Sequence, residues 1–164
     1  MDGREYRRLI GKLIERGETS KDAKVLADAF ELIKAYDESE RMSVYDSEGG
    51  ELAVNADVGV ADAHEMSMRV RGAVERLLAS GHAEYMSTLL EVELETLFFD
   101  APYNFDAFCR YIESEREYSR QFYLPRRKQL YPLVRALQDL ETGRLRLLGL
   151  SLPPGVGKIG RAHV

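Results

Sequence analysis

The chain has 164 residues, enough for one domain with its own core, and its 45% hydrophobic and 31% charged composition suits a soluble globular protein rather than a disordered one. A formal net charge of -5 argues against a surface given over wholly to nucleic acid, although a local basic stripe is compatible with a DNA-handling enzyme. The single cysteine, Cys109, cannot form an intramolecular bridge and fits a reducing compartment as a buried structural thiol, while no apolar run approaches the roughly 20 residues that span a bilayer and residues 1–8 are too polar for a secretory signal.

Apolar residues recur at helical spacing along the first half. Tyr6, Leu9, Ile10, Leu13 and Ile14 predict a first helix with Gly17 as its stop. Thr19 or Ser20 is expected to cap a second, whose apolar face holds Val25, Leu26, Ala29, Phe30, Ile33 and Tyr36 and which ends in the charged run 37–41. Residues 43–46 and 51–54 flank Ser47, Glu48, Gly49 and Gly50, a pattern that reads as a small hairpin or a loop because the glycines supply positive φ. Helical spacing resumes near Asp62 with Met66, Val70, Val74, Leu77 and Leu78, and Gly81 closes that helix. A further helix is expected from about Ala83 to Phe98, through Tyr85, Leu89, Leu90, Val92 and Leu94.

Asp100, Ala101 and Pro102 break the pattern, and Asn104 is placed to cap a helix carrying Phe108, Tyr111 and Ile112. Phe122, Tyr123 and Leu124 read as an extended entry to a helix that begins near Pro125 and spans 126–140, with Leu130, Leu133, Val134, Leu137 and Leu140 inward and Gly143 at its end. Pro132 within it implies a kink or a later start near Tyr131. Residues 144–150, Arg-Leu-Arg-Leu-Leu-Gly-Leu, read as the first buried strand of an α/β sheet. The expected fold is therefore mainly α: a helical N-terminal region over 1–98, then, over 99–158, the first helix, strand and loop of a P-loop α/β ATPase domain that is truncated.

That strand runs into Leu152, Pro153, Pro154, Gly155, Val156, Gly157 and Lys158. The P-loop pattern asks for a glycine, four residues, Gly-Lys, and then Ser or Thr to ligate Mg²⁺. Here Leu152 stands for the first glycine and Ile159 for the hydroxyl residue, while Gly157 and Lys158 match. Gly155 and Gly157 would let successive N–H groups face phosphate oxygens, and Lys158 would bring an ammonium to the β- and γ-phosphates. A plain Pro-Pro-Gly turn is the simpler reading. Residues 159–164 do not continue the motif. Written as codons they match a common short-read sequencing adapter, so they are expected to be a library artefact, a genuine divergent C-terminus being the alternative.

Three stretches carry a resemblance: Phe99-Asp100-Ala101-Pro102-Tyr103-Asn104-Phe105-Asp106, Phe122-Tyr123-Leu124-Pro125-Arg126-Arg127-Lys128-Gln129-Leu130, and residues 147–158. Together they resemble the large terminase subunit of tailed bacteriophages, in which the loop commonly reads Leu-Pro-Pro ahead of its Gly-Lys pair. The likeness covers about 98–158, more loosely from Asp62. It implies an ATP-driven motor that moves double-stranded DNA through a portal protein into a capsid, works with a small terminase subunit and as an oligomeric ring in the bacterial host cytoplasm, and cuts concatemeric DNA. It implies ATP and Mg²⁺ as cofactors and no membrane. Pro154, Gly155, Val156, Gly157 and Lys158 would bind the phosphates, with Lys158 catalytic. The metal ligands, the acidic strand end and the nuclease carboxylates would lie beyond this chain, which would itself be inactive. Tyr123, Arg127 or Gln129 would meet the adenine ring; alternatively Phe122 and Tyr123 are core, and Arg126, Arg127 and Lys128 a solvated helix start.

Other constellations carry less. His64-Glu65 opens a zinc-protease-like pattern, but Met68 holds the second histidine's place. Glu91, Glu93 and Glu95, like Glu113, Glu115 and Glu117, read as solvated helix faces. Two other readings stay open: another P-loop ATPase such as a helicase or helicase loader, and a helical interaction module without nucleotide binding.

Overall fold

The computed structural model describes residues 3–45, 52–81 and 85–151. Its helices are α1 (Gly3–Ser20), α2 (Ala23–Tyr45), α3 (Leu52–Ala79), α4 (Met86–Asp100), α5 (Phe105–Ser114) and α6 (Arg127–Glu141), with 3-10 turns at Tyr118–Arg120 and Leu124–Arg126. The mainly helical class expected from the periodicity is what forms, and there is no strand among the described residues. None of these helices is long and apolar enough to cross a membrane.

The core lies among α1 to α4. Tyr6, Ile10 and Ile14 from α1 meet Leu26, Phe30 and Ile33 from α2, while α3 contributes Met66, Val70, Val74 and Leu77 and α4 adds Leu89 and Val92. Steps of three and four place each set on one stripe, so every helix buries a face while its backbone bonds stay internal. Each fully buried Leu, Ile, Val or Phe contributes roughly 1.5–3 kcal/mol relative to exposure. α5 packs on α4, and α6 packs on α5 and the 3-10 turn before it.

Several expected boundaries move, each for a physical reason. Gly17 does not stop α1; it lies close against α2, where a Cβ would meet Leu26 Cδ2 at 2.7 Å. The turn falls instead at Lys21, with φ 54, and Asp22 accepts the Lys24 N–H at 3.0 Å, so Asp22 rather than Thr19 or Ser20 caps α2. The run 37–41 does not end α2, because Asp37 turns inward at 5% exposure and the helix continues to Tyr45. The expected hairpin is absent: 43–45 belong to α2 and 52–54 to α3, and its turn, 47–50, lies outside the described residues. An isolated two-stranded hairpin is marginal in water, whereas longer helices satisfy their backbone locally. α3 accordingly starts ten residues ahead of Asp62.

The last two helices bury few of their large apolar residues, which in α6 departs from the inward stripe expected. In α5 the buried residues are Ala107, Arg110 and Glu113, while Phe108 and Ile112 are 42% and 39% exposed. Arg110 draws the polar face inward by bridging Glu75 of α3 at 2.7 Å and Glu93 of α4 at 2.6 Å. In α6 only Val134 is buried, and the inward stripe from Leu130 to Leu140 is half-buried or exposed. Pro132 sits inside that helix.

Within the core, Tyr6 is 0% exposed and stacks on Tyr36 with ring centroids 3.8 Å apart, yet its hydroxyl makes no hydrogen bond among the described residues. Burial, then the neighbouring Tyr36, Asp37 and Asp62, raise its pKa and keep it protonated. Tyr6→Phe removes a desolvated hydroxyl at no cost in packing and is expected to stabilise the fold by about 1 kcal/mol. Urea denaturation checks this; destabilisation beyond about 1 kcal/mol would show that the hydroxyl is bonded.

Candidate functional site

The phosphate-loop residues Pro154, Gly155, Val156, Gly157 and Lys158 lie outside the described residues, together with Ile159, His82 and His163. The structure describes the approach to the loop. α6 ends at Glu141; just past it Gly143 has a φ of +74, and the Leu145 N–H returns to Asp139 O at 2.8 Å in a helix-terminating turn. The strand expected over 144–150 does not form: Leu147 is 88% exposed and Leu150 55%. A strand's N–H and C=O groups need a neighbouring chain, and there is no other strand among the described residues to supply one.

Upstream, α5 and the start of α6 are tied by two carboxylates. Asn104 caps α5 as its sequence position implies, its Oδ1 accepting from the Ala107 N–H at 3.0 Å. Two residues further on, Asp106 accepts two parallel bonds from Arg127, both 2.9 Å, and one from the Tyr123 hydroxyl at 2.5 Å. Burial alone would raise the Asp106 carboxyl, but the hydrogen bonds and charge of Arg127 with the Tyr123 bond outweigh it and hold it below its ordinary 3.8. The same contact raises Arg127 further above neutrality, and burial followed by Asp106 raises the Tyr123 phenol.

Glu113 forms the second tie. It is 6% exposed, and its carboxylate accepts the backbone N–H groups of Phe122, Tyr123 and Leu124 at 2.8–2.9 Å. Burial would raise its carboxyl, but these three donors prevail and lower it below its ordinary 4.5. The solvated face expected for Glu113 is therefore corrected, because the backbone that wraps it lies nine to eleven residues downstream. Glu93, expected to be solvated too, is half-buried on Arg110. Cys109 is half-buried, and burial, then Asp106 and Glu113, raise its thiol pKa, which suits an inert thiol.

Of the three residues proposed to meet adenine, Tyr123 is 5% exposed and committed through its hydroxyl to Asp106. Arg127 is half-buried on the same carboxylate, with its guanidinium 5.5 Å from the Tyr131 ring centroid. Gln129 is exposed and, with Leu124, Pro125, Arg127, Lys128 and Tyr131, lines a surface groove of about 700 Å³. The structure thus places Arg127 and Gln129 on one groove and leaves Tyr123 buried, outside its lining.

A buried polar cluster joins α3 to α4. Asp100, 1% exposed, accepts from Arg71 Nη1 at 2.8 Å, Ser67 Oγ at 3.2 Å and His64 Nδ1 at 2.8 Å. Arg71 also reaches Thr96 O at 3.3 Å. The three residue types resemble a hydrolase triad, but Ser67 donates to the carboxylate rather than to the imidazole, so the serine–histidine contact of a triad is not made. His64 Nε2 is buried without a hydrogen bond among the described residues, its ring packed on Phe99 and Tyr103 at 4.6 and 4.3 Å. The sequence offers no signal for this cluster beyond the i, i+3, i+7 spacing of His64, Ser67 and Arg71.

Among the described residues no group of three or more His, Cys, Asp and Glu side chains could hold a metal ion. No protein-family model, curated protein or solved structure matches the chain.

Proposed function

We propose that the chain belongs to an ATP-driven DNA-packaging motor of the terminase large-subunit type. The observation that carries the proposal is the ordered set of sequence segments at 99–106, 122–130 and 147–158, the last ending in Gly155, Val156, Gly157 and Lys158. The structure supports the reading at one place: Asp106 and Glu113 hold the segment 122–127 firmly, so that Arg127 and Gln129 share an open groove. In this proposal Pro154, Gly155, Val156 and Gly157 cradle the phosphates of ATP, Lys158 offsets charge at the transferring phosphoryl group, and Mg²⁺ binds beside it. Portal protein, small terminase subunit and double-stranded DNA are the partners, in a ring in the bacterial host cytoplasm.

The gene read beyond the Lys158 codon tests this directly. A Ser or Thr codon followed by a helix pattern and a later acidic strand end is the expected result, and an uninterrupted natural transcript with the Ile159–Val164 ending removes the proposal. In protein expressed from a gene so extended, Gln129→Ala is expected to weaken ATP about tenfold, the worth of one good hydrogen bond, while sparing a purine-free triphosphate. Equal losses for both ligands dispose of the adenine role alone. A helical interaction module without nucleotide binding is the second reading, favoured by the outward apolar face of α5.

A further inference from the structure

Charge is unevenly placed along the chain. Residues 1–115 hold thirteen lysines and arginines against twenty-five acidic residues, whereas residues 116–146 hold eight against three. From 116 to 138 the only acidic residue is Glu117. The cations of this stretch lie outside: Arg120, Arg126, Lys128 and Arg135 are all exposed, and Arg127 alone among them turns inward, onto Asp106. The ion pairs within 116–146 are Arg120–Glu117, Arg127–Asp106 and Arg144–Asp139, so Arg126, Lys128 and Arg135 have none among the described residues. The Arg120–Glu117 pair is loose, 3.9 Å apart with side chains 79% and 78% exposed, and such pairs hold little energy.

Aromatic rings are interspersed with these cations. Tyr118 is 78% exposed, Tyr131 43% and Phe122 40%. The Arg126 guanidinium lies 5.2 Å from the Phe122 ring centroid and donates to Phe122 O at 3.2 Å. That contact keeps Phe122, two residues past the Tyr118–Arg120 turn, beside the start of α6. Lys128, Tyr131 and Arg135 then follow at steps of three and four, on one face of the helix.

Phosphates and planar bases are the chemistry that answers this pattern. An acidic peptide would meet the cations but bring no flat groups to the rings. A duplex would bring phosphates but keep its base faces stacked inside. A single strand offers both, since each base has a face that stacks on an aromatic side chain whatever the sequence. We propose that the surface from Tyr118 to Arg135 binds a single strand of nucleic acid, its phosphates along Arg120, Arg126, Lys128 and Arg135 and its bases on Tyr118, Phe122 and Tyr131. The acidic remainder of the chain repels the strand and confines it to this face. This inference goes beyond the packaging-motor reading, whose partner is a duplex, and it needs none of residues 154–158. Lys128 and Tyr131 also border the groove of Gln129, so strand and adenine would meet at one edge.

The test uses the 164-residue chain without nucleotide, and its probes are a fluorescein-labelled oligothymidylate, a duplex with the same number of phosphates, and polyglutamate. Anisotropy at low salt is expected to show the oligothymidylate bound about tenfold tighter than the duplex, with polyglutamate a poor competitor. The logarithm of its affinity is expected to fall against that of salt concentration with a slope of about −3, roughly 0.7 for each of four phosphates. Tyr118→Ala, at an almost free ring, is expected to weaken binding about tenfold and leave the slope unchanged. Lys128→Ala with Arg135→Ala is expected to make the slope shallower by about 1.4. Arg8→Ala with Lys12→Ala removes the same charge from exposed positions of α1 and is expected to alter neither affinity nor slope. Circular dichroism is expected to be unchanged throughout, because every altered side chain is exposed. Equal or tighter binding of the duplex overturns the proposal and leaves the motor reading standing. Equal competition by polyglutamate assigns the face to an acidic protein and overturns it as well. Binding indifferent to Tyr118→Ala, an equal loss from the α1 variant, or no binding at all does the same.

Discussion

Asp100→Ala is expected to destabilise the protein by about 3–5 kcal/mol, the cost of breaking a buried ion pair from one side. Arg71, 6% exposed, would keep its guanidinium inside the bundle with only Thr96 O to accept from it. Ser67 and the His64 Nδ1 proton would lose their acceptor in the same step. Asp100→Asn keeps the shape and part of the hydrogen bonding, so its expected effect is smaller. Removing both charges, as in Arg71→Met with Asp100→Ala, is expected to cost less than the sum of the two single changes, because neither leaves the other stranded. Urea denaturation of the four proteins measures the coupling. Additive effects, or less than about 1 kcal/mol for Asp100→Ala, would mean that the pair does not hold α3 to α4.

This cluster also shows where the sequence was readable and where it was not. The stripe Met66, Val70, Val74 and Leu77 announces α3, because apolar spacing records which face of a helix is buried. Asp100 reads from sequence as a helix-breaking residue ahead of Pro102, and it does end α4; its burial depends on three partners on another helix, 29 to 36 residues away. Gly17 carried the opposite ambiguity. A glycine near a helix end signals either a stop or a close approach, and only the position of Leu26 decides between them. The run 144–150 is apolar enough for a strand, but a strand is a property of pairing, and pairing is not written in one segment.

The candidate site divides along the same line. Gly155, Gly157 and Lys158 are legible as a motif because backbone approach to phosphate demands those residue types at that spacing, and they lie outside the described residues. Asn104 is legible because a cap is local. Asp106 and Glu113 are not. Each acts on residues leading into or opening the 3-10 turn at Leu124–Arg126 and on the first residue of α6, too short a stretch for any period to mark the contact.

Glu113→Ala tests that hidden contact, with an expected loss of about 3 kcal/mol. Three consecutive backbone donors lose their acceptor, at roughly 1–3 kcal/mol for each that stays buried. Tyr123 is buried and its N–H cannot turn to water, whereas Phe122 is 40% exposed and recovers part of its hydration. The loss should be local first: the amides of 122–124 lose hydrogen-exchange protection and α6 loosens from α5, while amides of the α1 to α4 core keep theirs. Glu113→Gln, with one carbonyl oxygen left, is expected to fall between wild type and alanine. Acid should imitate the mutation. Both Glu113 and Asp106 have carboxyl pKa values lowered by folding, so their stabilisation is fully present above their ordinary values of 4.5 and 3.8 and is lost as pH falls through the lower folded ones. Between pH 5 and 7 the α5–α6 contact is therefore expected to be insensitive to pH, and below that range to open before the bundle does. Equal exchange at 122–124 in Glu113→Ala and wild type would show that the carboxylate does not anchor this segment, and the groove that holds Gln129 would lose its support.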